Sequence, residues 1–223
     1  MRAIRALAVA ALVAVDVSAA AAQSTRHFHD SWFWGVKGGV LSYQVQSDPN
    51  GGLAPMFGGD WLITRKHGGL YLAGDYAVFT EQVFVNDSIN PVDVTPGGRA
   101  TDIEDMFRLT FAGMLYPLEN QRFSPYIGMG MTLSSIVGAN PQGTYANRTQ
   151  ENLVLTTIQT FKTTVQPNLI AGAQLRLPLL SIFGHTTVTR ANNTFFLFTQ
   201  PSWRLTFETG VRYNIGSSID RLR

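Results

Sequence analysis

The sequence predicts an all-β chain: an eight-stranded antiparallel up-and-down transmembrane β-barrel, preceded by a cleaved signal peptide. Three observations carry this. The last strand-like run alternates: Leu205, Phe207, Thr209, Val211, Tyr213 and Ile215 share one face, and Arg204, Thr206, Glu208, Gly210, Arg212 and Asn214 the other. Charged residues are only 14% of the chain, against the usual ~25%, yet no 18-residue apolar run follows residue 22. The turn-forming clusters between the runs alternate short and long, as in barrels that cross a membrane.

Residues 1–22 read as a signal peptide. Arg2 and Arg5 precede an Ala/Val/Leu core, and Ala20-Ala21-Ala22 offers a small-residue cleavage site. Residues 23–30 are a polar lead-in, residues 31–216 the barrel, and residues 217–223 a short C-terminal tail. The strands are expected at about 32–46, 56–65, 70–80, 106–116, 125–137, 163–177, a seventh reaching 190, and 203–216. The seventh has an alternative that takes in the FFLFT run at 195–199. Long polar segments at 82–102 and 138–160 read as loops, the second with extended structure in NLVLTTIQT. The chain has no cysteine, so no disulfide holds it.

The charged strand residues set which face is which. Lys37, Asp60, Asp75, Arg108, Arg176, Arg204, Glu208 and Arg212 nearly all lie opposite the greasier face of their strands, with Tyr71 and Phe79 on the side of Asp75. A one-residue slip would turn them into lipid, where an Arg or Lys costs roughly 2–4 kcal/mol at mid-depth. They are expected to point into the lumen as a network. Lys37, Arg108, Arg204 and Arg212 would face Asp60, Asp75 and Glu208, with Arg176 on the same side. An eight-stranded barrel is just wide enough for side chains to fill it. The network is therefore read as a structural prop, with a small-solute gate as the alternative. A soluble sandwich produces the same alternation with its apolar face inward, and stays open at this point. Trp32, Trp34, Trp61, Tyr116, Tyr126, Trp203 and Tyr213 fall near strand ends, where interfacial aromatic girdles belong.

The segments WGVKGGV at 34–40, SPYIGMGM at 124–131, LIAGAQLRLP at 169–178 and FETGVRYNIGSS at 207–218 resemble the small outer-membrane β-barrel family, of the outer membrane protein A barrel-domain and outer membrane protein X type. The resemblance implies location in the bacterial outer membrane, outer-membrane lipids as surroundings, and insertion by the barrel-assembly machinery. It also implies a non-enzymatic structural or surface-interaction role through long external loops. A small-solute or lipophilic-ligand channel and a soluble exported ligand-binding barrel are the alternatives. Deacylase-like chemistry would need His67 or His185 with a serine such as Ser181, and no motif joins them. His27, His29 and Asp30 read as polar lead-in and not as a metal site. No cofactor, metal or nucleic-acid partner is expected; the loop ligand stays unknown.

Overall fold

The computed structural model describes residues 30–45, 50–87, 98–118, 122–177, 179–190, 195–196 and 203–217. The signal peptide, most of the lead-in and residues 218–223 lie outside the described residues. The strands are β1 (Ser31–Tyr43), β2 (Gly52–Arg65), β3 (Gly68–Val85), β4 (Arg99–Leu115), β5 (Phe123–Pro141), β6 (Thr163–Arg176), β7 (Leu180–Arg190) and β8 (Trp203–Ser217). Each pairs antiparallel with its sequence neighbour, and β8 closes on β1 with Gly35 opposite Arg212 and Lys37 opposite Gly210. Both outer strands of an open sheet would leave unpaired backbone groups; closure removes them. The links β2–β3, β4–β5 and β6–β7 share one end of the barrel. The links β1–β2, β3–β4, β5–β6 and β7–β8 share the other, here the long-loop end.

The barrel wears its apolar residues outside. Val36 is 71% exposed and Met129 68%, and the outward rows continue through Phe57, Phe111, Ile127 and Phe207. Arg108, Arg204 and Arg212 are among the most buried side chains in the molecule. An apolar belt around the whole cylinder far exceeds the patches that water-soluble monomers tolerate. Water-facing charges would not be turned inward. The soluble-sandwich alternative therefore fails: its apolar face would be the buried one.

A transmembrane strand needs about 9–11 residues. β7 has 11, but β3, β4 and β5 have 18, 17 and 19. These three stand beyond the apolar belt as a tall wall, so the ends of the segments that read as loops, residues 82–85, 99–102 and 138–141, are strand. The wall has a hinge point. Asp105 adopts a left-handed backbone (φ 53), and the β3–β4 register shifts between Ala77 and Thr80. Its carboxylate accepts the Phe79 N–H at 3.3 Å and the Tyr76 hydroxyl at 2.7 Å, pinning the bulge. Below it, Met106, Arg108 and Thr110 of β4 point inward. Above it, Thr101 and Ile103 are the buried ones, so β4 has exchanged faces.

The β5–β6 link contains a helix, α1 (Arg148–Lys162), where the sequence suggested extended structure. Asn147 explains the start. Its side chain accepts the Gln150 N–H at 2.9 Å, and the Gln150 side chain accepts the N–H of Ala146, the residue before the cap, at 2.8 Å. The β-branched run masks a helical spacing: Val154 and Ile158, four apart, are the buried pair. They pack on Leu41, Phe79, Ile103, Ile136, Phe195 and Phe196, closing the mouth with an apolar plug. Arg99 ties the wall to the segment before α1. It donates to the carbonyls of Gln142 (2.5 Å) and Thr144 (3.1 Å) and lies 4.3 Å over the Tyr145 ring. Strand seven ends at Arg190; Phe195 and Phe196 belong to the plug and not to a strand, and 197–199 lie outside the described residues.

Candidate functional site

The centre of the lumen is built from β1 outward. Lys37 stands between Gly58 of β2 and Gly210 of β8. Its ammonium reaches Asp75 Oδ1 at 2.9 Å, Glu208 Oε2 at 2.5 Å and the Tyr71 hydroxyl at 3.1 Å. Three donors on a compact cation meet three acceptors, two on β3 and one on the adjoining β8. Glu208 also takes the His185 Nε2–H at 2.8 Å and lies 3.7 Å from Arg108 Nη1. A carboxylate can only accept, so His185 carries its proton on Nε2 in that bond. Its Nδ1 shares the other, at 2.9 Å, with the Tyr126 hydroxyl. The His185 ring stacks on Phe183.

A second unit lies nearer the short-turn end. Arg212 directs both Nε (2.8 Å) and Nη2 (2.7 Å) at Asp60 Oδ2, and its guanidinium sits 3.6 Å over the Phe183 ring. The backbone makes room for it. Gly35 lies in register with both Asp60 and Arg212, and a Cβ there would collide with Asp60 Oδ1. Gly58 does the same for Asp75, whose Oδ1 occupies the space a Cβ would need. Glycine at these two positions is a space requirement, not a turn signal.

The remaining charged residues are placed differently. Arg204 is buried one layer toward the long-loop end, donating to Gln166 Oε1 (2.6 Å) and Thr189 Oγ1 (3.2 Å). An amide and a hydroxyl thus stand where the sequence suggests a ladder of carboxylates. Arg176 is half-buried at the short-turn end, where it bonds the Ser124 hydroxyl, well below the central cluster. Sequence reasoning missed His185, Tyr71 and Tyr126 as members. The signal was parity: Tyr71 falls on the face of Asp75 in β3, and Tyr126 and His185 fall at inward positions of β5 and β7.

The aromatics divide. Trp32, Trp34 and Trp61 face outward and pack on one another at the short-turn end, with Tyr213 opposite Trp34. Trp203 is outward at the long-loop end. Tyr116 and Tyr126 correct the girdle expectation: both are 1% exposed and point into the lumen. They alternate with outward Leu115 and Ile127, so nearness to a strand end did not set their face. Their rings pack 5.6 Å apart above the short-turn end.

Among the described residues, His185 is not joined to a serine by a hydrogen bond. Both ring nitrogens of His185 are engaged by Tyr126 and Glu208, and Ser181 pairs with Arg176 and Arg212 in register, away from His185. His67 lies in the β2–β3 turn. Among the described residues no group of His, Cys, Asp and Glu is placed to hold a metal; His27 and His29 lie outside them. The cluster joins β1, β2, β3, β4, β5, β7 and β8 through the lumen and fills it.

Closed eight-strand topology with charges inside and an apolar belt outside is the small outer-membrane β-barrel fold. Among solved structures, Neisserial surface protein A matches at TM-score 0.50 and 10% identity, covering 82% of this chain and 97% of that one. Ail, the attachment invasion locus protein of Yersinia pestis, matches at TM-score 0.45 and 10% identity, over 84% of this chain and 100% of its own. A major outer membrane protein from Thermus thermophilus matches at TM-score 0.37 and 16% identity, over 82% of this chain and 99% of its own. No protein-family model and no curated protein matches the sequence.

Proposed function

We propose that this chain is a non-enzymatic integral protein of the bacterial outer membrane whose task is surface interaction through its long-loop end. The observation that carries the reading is the unequal build of the two ends. One end has tight turns and a tryptophan cluster. The other raises the β3–β5 wall beyond the apolar belt and roofs the barrel with α1. Strand added above the lipid does nothing for membrane anchorage. It displays surface, and its outer face carries a polar group, Gln82 and Gln142 both donating to Asp102, beside exposed Phe84. The lumen, packed with side chains at mid-depth and plugged at the mouth, supports this reading over a channel.

The absence of cysteine makes the test direct. A Gln159→Cys variant on exposed α1 should react with an impermeant maleimide on intact cells. A Lys66→Cys variant in the β2–β3 turn should react only after lysis. The protein should stay with outer-membrane fractions after a carbonate wash and show heat-modifiable migration on detergent gels. Labelling of both sites only after lysis, or release by carbonate, would overturn the proposal. Solute flux through liposomes carrying the protein would favour the channel alternative.

A further inference from the structure

Resting on the membrane reading above, the geometry points to a specific site for an anionic phospholipid on the β4–β6 face, in the leaflet at the short-turn end. Two independent features coincide there. The first is an apolar groove of about 580 Å³ in the membrane-facing surface. Its walls are Leu115, Ile127, Met129 and Leu169, and its floor is formed by the small residues Gly113 and Ala171. Register continues the low floor toward the short-turn end: Ala171 pairs with Ile127, and outward Ala173 pairs with Pro125. A saturated acyl chain fits a channel of this kind, and burying it there avoids the mismatch of flat lipid against a notched wall.

The second feature is charge. Arg122 is exposed in the β4–β5 turn directly below the groove, and Lys66 is exposed in the neighbouring β2–β3 turn. The Tyr116 N–H donates to the His67 carbonyl at 2.7 Å, tying the two turns, and the Arg176 N–H donates to the Arg122 carbonyl at 2.7 Å, tying the second turn to the end of β6. Among the described residues, no carboxylate lies within salt-bridge distance of Lys66 or Arg122, whereas Arg65 approaches Asp30 at 3.8 Å. The opposite end is where the carboxylates gather, at Glu81, Asp102, Glu104 and Asp105. Ile127 lies five residues beyond Arg122, roughly 17 Å along an extended strand. That is the distance from a phosphate to the lower half of its acyl chain. The headgroup would sit on the two cations, and the chain would run up over Ala173 and Ala171 to Gly113.

The test uses the full mature protein in phosphatidylcholine vesicles, with spin-labelled phosphatidylglycerol or phosphatidylcholine as probe. The immobilised fraction should favour phosphatidylglycerol, and Lys66→Gln and Arg122→Gln should each reduce the preference roughly fivefold. Gly113→Leu with Ala171→Leu, both outward and without a backbone clash at Gly113, should abolish the immobilised component while leaving heat-modifiable migration intact. Equal immobilisation of the two lipids by the unmodified protein overturns the site. So does survival of the preference when the groove is filled, because the rim then acts as a bare anion surface. Competition by inorganic phosphate beyond that of an equal ionic strength of chloride also overturns it, since the rim would then take free phosphate without the chain. Failure of the unmodified protein to insert, read by the gel, marks instead the collapse of the membrane reading itself.

Discussion

The lumen and the mouth of this barrel solve opposite problems with the same strands. At mid-depth, the inward positions of β1, β4 and β8 are Lys37, Arg108, Glu208 and Arg212, while Val36, Phe111 and Phe207 look out. At the mouth, the inward positions are Leu41, Ile103, Ile136 and Val154, while Thr80, Gln82 and Glu104 look out. The difference follows the solvent. Where lipid surrounds the wall, the apolar residues belong outside and the polar ones must satisfy one another inside. Where water surrounds it, the wall becomes an ordinary sheet packed on a helix. Asp105 is where β4 changes from one regime to the other.

This contrast can be attacked from either side. The largest effect is expected at the Asp60–Arg212 pair. Asp60→Leu leaves a buried guanidinium without its partner and should cost about 3–5 kcal/mol in detergent unfolding, while adding Arg212→Leu should recover most of it. If the double variant is no better than the single, the two residues do not act as a unit. Next, Ile158→Ala at the mouth should cost roughly 2–5 kcal/mol of local stability. That loss should appear as faster amide exchange and proteolysis in α1, with the heat-modifiable barrel unchanged. An equal loss of the barrel would show that plug and lumen are one cooperative unit.

Smaller effects refine the picture. Gly35→Ala drives a methyl into Asp60 and should destabilise by about 1–3 kcal/mol. A neutral outcome in thermal melts would mean that the pair can move aside. Asn147→Ala removes one helix cap and should cost about 1 kcal/mol, confined to exchange rates in the first turn of α1.

The legible part of this molecule was the part under one rule. In β8 every second residue from Trp203 to Ile215 is apolar or aromatic except Thr209, and one charge per few residues on the other face fixes the register, so its limits are nearly those expected. The tall wall was not legible because the polar residues of its outer face and its turn-like residues look the same as loop. Asp105 further hides the pattern in β4, since the inward parity changes within one strand. α1 was missed because Thr156, Thr157 and Ile158 favour strand locally, and only the plug beneath Val154 and Ile158 selects helix. Tyr116 and Tyr126 were misplaced by reading position along the strand before parity.

The alternation of residues was enough to set the strand class and to sort each strand into an apolar and a charged face, because a strand has only two faces. That the charged face is the inner one was decided by the closed barrel, which buries Arg108, Arg204 and Arg212 and leaves Val36 and Phe207 outside. Which of those lumenal groups bond to one another depended on the closed cylinder. Closure carries β8 back to β1, bringing Glu208 onto Lys37 and Arg212 onto Asp60, partners separated by 171 and 152 residues.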